Sequence, residues 1–160
     1  MMFENCHTPD DVAGVYRRLG FTVTCAGGRV ALVATPTLGG IAMPAHLVAG
    51  VRSRMTDIGD TTTTLVVGRH LAGPATQVFL VGPAFNRRLS TEALALLEDA
   101  GVRILDDGQR IWLPMSDSVT GWTWIGGIQP FLGIRLPSAT SVLTAAHDLL
   151  LATRRGALPF

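Results

Sequence analysis

The chain has 160 residues, a formal net charge of +1, 48% apolar residues and 16% charged ones. Its length predicts a single domain, 1–160, that buries roughly 70% of its unfolded surface and needs no disulfide or metal to hold it together. So few charges among so many apolar residues argue against disorder, and the near-neutral balance excludes a global field for nucleic acid, leaving any such contact to a local patch.

All 13 basic residues are arginine. With abundant Ala and Gly, this reads as the coding bias of a GC-rich genome; guanidinium forks also suit phosphate. The opening MMFENCHTPDD carries acids and no apolar leader core, and the apolar runs fall short of the ~20 residues that span a bilayer, so a cytoplasmic chain with no membrane partner is expected. Cys6 and Cys25 are too far apart for a CxxC motif and read as thiols in a reducing compartment.

The ordered core is expected over 8–155. Thr8-Pro9-Asp10-Asp11 starts a helix, with a Thr cap, Pro in the first turn and two acids at the positive end of the dipole; Val12, Val15, Tyr16 and Leu19 recur at helical spacing and Gly20 stops it. Phe21 to Cys25 and Arg29 to Ala34 read as a hairpin across Ala26-Gly27-Gly28. A short strand, Gly40 to Met43, feeds a second helix through Pro44, with Leu47, Val48 and Val51 on its apolar face. Thr61 to Val67 and Thr76 to Val81 are strands separated by the Gly68 to Pro74 loop. Ser90 caps a third helix with Leu94, Leu97 and Ala100 inside; Gly101 ends it before a strand at Val102 to Leu105. The segment LDDGQRIWLPMSDSVTGWTWIGG, Leu105 to Gly127, then predicts one two-stranded unit, Arg110 to Leu113 and Trp122 to Ile125. A last helix is expected from Pro137 to about Arg155. Helices and strands alternate without a strict βαβα rhythm, so the predicted class is α+β: a mixed, mainly antiparallel sheet packed by about four helices, with the strands from Thr61 to Ile125 in one sheet.

Few residues suggest chemistry. His70 ends a strand where a loop side chain either reaches a ligand or is simply solvated; His46 and His147 read as polar contacts on packed helices, His7 lies near the terminus, and no HxH, HExxH or His-Cys spacing suggests a metal. Two-metal phosphoryl transfer needs acids two apart on one strand face, and no strand offers Asp-x-Asp or Glu-x-Glu. Asp10-Asp11 cap a helix and Asp106-Asp107 precede a turn glycine. GxSxG, GxGxxG and the phosphate-binding P-loop are absent. Trp122 and Trp124 share a strand face, with Trp112 expected on the partner strand; the set is either a base-stacking platform or an aromatic core layer. Arg103 and Arg110 flank it in sequence.

The order of elements and the 105–127 segment resemble the N-terminal bifunctional DNA primase/polymerase domains of the archaeo-eukaryotic primase superfamily, and their degenerate relatives in high-GC bacteria. Leu113-Pro114-Met115-Ser116, Thr120-Gly121 and Trp122-Thr123-Trp124 look like that family's apolar Pro turn, small-Gly pair and aromatic strand, with Met115 in place of a second Pro and the usual His missing. Gly68-Arg69-His70 is similar to its Gly-x-His phosphate motif. The resemblance implies a metal-binding acid pair on the early strand that runs into a helix, yet this chain reads Gly40-Ile41-Ala42-Met43-Pro44 there.

Together these readings lead to a non-catalytic primase-polymerase-like binding or scaffold domain without cofactor, metal site or catalytic residues. Its nucleic-acid or phosphate contacts are expected at Arg69, His70, Arg87, Arg88, Arg103, Arg110, Trp122 and Trp124. The alternative is a compact protein-interaction module that homodimerises through an apolar surface. An enzyme built on His70 and a distant carboxylate stands third.

Overall fold

The computed structural model describes residues 2–59, 62–69, 75–83, 89–118 and 121–156. Local chemistry sets the first elements. The Thr8 Oγ1 accepts from the Asp11 N–H at 3.2 Å, and the Asp11 carboxylate accepts in return from the His7 and Thr8 N–H groups, each at 2.9 Å, which starts α1 (Pro9–Arg18). Those bonds to its charged form hold the Asp11 carboxyl below the usual aspartate range. The turn Gly27-Gly28, with φ of 56° and 72°, joins β1 (Val23–Ala26) to β2 (Arg29–Val33) and sets Ala26 opposite Arg29. A two-residue hairpin turn of type I′ needs positive φ at both positions, which glycine supplies without strain.

The chain continues through β3 (Gly39–Pro44), α2 (Ala45–Asp57), β4 (Val66–Arg69), β5 (Thr76–Val81), α3 (Thr91–Asp99), β6 (Arg103–Ile104), β7 (Arg110–Trp112), β8 (Trp122–Trp124), a 3₁₀ turn at Ile125–Gly127 and α4 (Ala139–Arg154). The fold is α+β, with antiparallel pairing throughout its ladders. The strands divide between two sheets, a three-stranded one in the order β1-β2-β7 and a five-stranded one in the order β6-β3-β5-β4-β8.

Three expectations are corrected. The 105–127 segment is not one two-stranded unit: β7 pairs with β2 and β8 with β4, so its halves serve different sheets. Alternation along a strand records which face is buried and leaves the neighbour unspecified. The strand expected over Thr61 to Val67 lies at Val66–Arg69, because Thr63 is engaged elsewhere, its N–H donating to the Arg135 carbonyl at 2.9 Å. Helix α4 starts at Ala139, past Pro137, since Ser138 is its cap and accepts from the Ser141 N–H at 3.0 Å.

The five-stranded sheet stands between two cores. Ile41, Met43, Val66, Phe79 and Val81 face α2, α3 and α4. Ala42, Val67, Val78, Leu80 and Trp124 face the three-stranded sheet and α1, where they meet Val30, Leu32, Ile111 and Tyr16. The sheets can approach because β3 presents only small residues on that side. A Cβ on Gly40 would lie 2.7 Å from Ile111 Cδ1 and 2.8 Å from Val78 Cγ1.

Tyr16 anchors the second core. Its ring meets Phe3, Phe21 and Trp124 at centroid distances of 5.8, 6.1 and 6.3 Å, and its hydroxyl donates to the Pro114 carbonyl at 2.6 Å. The N-terminal segment is tied to the same region by Asp117, whose carboxylate accepts from the Met2 and Phe3 N–H groups at 3.2 Å.

Candidate nucleic-acid interface

At the outer edge of the five-stranded sheet, β4 and β8 set Arg69 opposite Trp122 and Val67 opposite Trp124. Alternation turns both tryptophans toward the three-stranded sheet. Trp124, further in, is buried in the second core, whereas Trp122 at the strand's start is half-buried. On the three-stranded sheet Trp112 lies opposite Ala31, so it shares a face with Arg29, away from the core residues Val30 and Leu32. The Arg29 side chain reaches both rings, its guanidinium carbon 4.9 Å from the Trp112 centroid and 5.9 Å from that of Trp122. Arg69 stands 5.8 Å from the Trp122 centroid. Two guanidiniums and two indoles from four strands thus form one cluster, each contact within the ~6 Å over which a cation is drawn to an aromatic ring.

The electrostatics favour an outside anion. Among the described residues no arginine pairs with a carboxylate; the single ion-pair contact joins His147 Nδ1 and Asp148 at 3.9 Å on α4. The guanidiniums of Arg29 and Arg69 therefore keep their charge unneutralised by a described acid. The Trp122 Nε1–H is also buried without an acceptor among the described residues. Such a cluster can offer fork-shaped donors to phosphate and flat rings to bases.

No protein-family model, curated protein or solved structure matches the chain. The site therefore rests on its geometry.

That geometry redistributes the residues expected from sequence. Arg69 and Trp122 come together. Trp124 is core, packed edge-on to Tyr16, because the ring one pleat further in falls between the sheets. Arg110 is exposed and, by alternation, on the face of Trp112. Arg103 is separated from the cluster: it lies on β6, at the opposite edge of the five-stranded sheet. His70, Arg87 and Arg88 lie outside the described residues. Trp112 joins the cluster through Arg29 and not through pairing of its strand with Trp122's. Sequence reasoning missed Arg29; the available signal was its place directly after Gly27-Gly28, which fixes its face on β2.

Among the described residues the acids form no comparable center. Asp106 and Asp107 sit in the turn between β6 and β7, where the Gly108 N–H donates to the Ala34 carbonyl at 2.8 Å. Strand β3 carries no carboxylate. Among the described residues no three His, Cys, Asp or Glu side chains come close enough to hold a metal ion.

Proposed function

We propose that this chain is a non-catalytic, primase-polymerase-like module that binds single-stranded nucleic acid through the Arg29–Trp112–Trp122–Arg69 cluster. The observation that carries the reading is the pair of guanidiniums, unpaired with any acid among the described residues, set within about 6 Å of half-buried indoles. Half-buried rings held by neighbours are pre-oriented, so stacking a base on them freezes little further motion. The two guanidiniums beside them suit the backbone of the same strand. Duplex hides its base faces and suits the cluster less well. The non-catalytic part is supported by β3: with no carboxylate there, an in-line phosphoryl transfer would lack the metal-held charge stabilisation it needs.

Titration with a single-stranded oligonucleotide, read by tryptophan fluorescence, tests the reading. Binding should quench the signal and weaken with salt, and Arg29→Ala should lower affinity with little change in fold. Unchanged fluorescence and no complex at low salt would refute it, as would equal affinity of Arg29→Ala and the wild type.

A further inference from the structure

The far edge of the five-stranded sheet has a different character. The Leu105 N–H donates to the Gly40 carbonyl at 2.9 Å, and Ile104 lies opposite Ile41. An antiparallel ladder alternates pairs that exchange both hydrogen bonds with pairs that exchange none. Arg103 and Leu105 therefore turn their backbone groups to β3, and Ile104 turns its N–H and C=O to the open edge. The flanking donors are spent: the Asp106 N–H goes to Gln109 Oε1 at 2.6 Å and the Val102 N–H to the Leu97 carbonyl at 2.9 Å. Beside this edge runs a groove of about 320 Å³ between α3 and β6, lined by Leu94, Leu97, Val102 and Ile104, with Glu98, Arg103 and Asp106 also on its wall. Ile104 is 53% exposed, and Leu94, expected on the inner stripe of its helix, is 41% exposed because Ala93 and Leu97 take the inward face.

We propose that this edge is a homodimer interface in which β6 pairs with β6 of a second copy about a twofold axis at Ile104. A twofold pairing centred on one residue asks each copy for one donor and one acceptor there, which is what Ile104 presents. The Ile104 N–H of each copy donates to the Ile104 carbonyl of the other, and the two five-stranded sheets become one continuous antiparallel sheet. A twofold interface also requires a patch that fits itself. Here an exposed apolar knob, Ile104, stands beside an apolar groove on the same surface. The edge is not of one sign: Arg103 stands on the Ala42 face of β6, and Glu98 and Asp106 lie on the groove wall. A polyanion would meet two carboxylates, and a strongly basic partner would meet the arginine.

Sedimentation over rising protein concentration should show the wild type passing from monomer to dimer. Ile104→Glu, at an exposed position and with an unchanged circular dichroism spectrum, should weaken the dimer at least tenfold. In a Cys6→Ser, Cys25→Ser background, Ile104→Cys should be joined into a covalent dimer by a short bismaleimide, because opposed hydrogen-bonded residues sit about 5.5 Å apart between Cα atoms, within such a linker's reach. A wild type that stays monomeric up to its solubility limit overturns the proposal. So does a dimer indifferent to Ile104→Glu, or a dimer in which Ile104→Cys fails to cross-link. Oligonucleotide titration reads the opposite edge, so either proposal can fail alone.

Discussion

Trp124 lies inside the second core and Trp112 outside it, and the two should differ sharply on substitution. Trp124 fills space between the sheets against Tyr16, so Trp124→Ala should cost about 3–5 kcal/mol of folding stability, as other buried aromatic truncations do. Trp112 is half-buried outside that core, and Trp112→Ala should cost less than half as much while weakening oligonucleotide binding by roughly 1–3 kcal/mol. Denaturant midpoints and fluorescence titrations on the same variants separate the two effects. Tyr16 supplies a pH signature. Burial pushes its phenol above the ordinary value of about 10. The unfolded chain then ionises Tyr16 first, so its contribution is fully present below pH 10 and is lost as pH rises toward the folded value. The chain has one tyrosine, so phenolate absorbance reports it directly. Tyr16→Phe should be less stable than the wild type at neutral pH, by about 1–3 kcal/mol for the Pro114 carbonyl left without its donor, and the gap should narrow above pH 10.

Among the elements, two glycines mark close packing, one in a strand and one in a helix where propensity offsets part of the cost. A Cβ on Gly40 meets Ile111 and Val78, both wedged between the sheets, and Gly40→Ala should destabilise by about 1–3 kcal/mol. A Cβ on Gly50 of α2 also comes within 2.7 Å of a neighbour, but that neighbour is the methyl end of Leu149 on α4. Both methyls of the buried Leu149 crowd that Cβ, at 2.7 and 3.0 Å, so a packing cost remains, but the helix gains about 1 kcal/mol of propensity against it, and Gly50→Ala should destabilise less than Gly40→Ala. Thermal midpoints of the pair check the contrast. The elements also mark how far sequence reasoning reached. Thr8, Ser90 and Gly27-Gly28 act within a few residues of themselves, so the α1 and α3 starts and the β1-β2 turn were readable in advance. Which strand β7 or β8 would join was not, because its partner is fixed by contacts some eighty and fifty positions away. The Arg29 contacts with Trp112 and Trp122 are unreadable for the same reason.

The whole molecule has two cores and one shared wall. Strand β5 gives Phe79 and Val81 to the helices and Val78 and Leu80 to the second sheet, so neither core can open without stripping the other. Unfolding should therefore be a single transition, with far-ultraviolet circular dichroism from the helices coinciding with tryptophan fluorescence from the second core. Two separated transitions would contradict it.

The three-stranded sheet also imposes an order of events at the ribosome. Val33 pairs with Arg110, so the β1-β2 hairpin must wait for its third strand until β3 through β6 have been made. At about 5–20 residues per second, that interval lasts several seconds. Through it the nascent hairpin carries Val30 and Leu32 beside an unpaired strand edge, the arrangement most open to pairing with another chain. Synthesis rate and chaperone supply, more than final stability, should then decide how much of this protein reaches its native state in the cell.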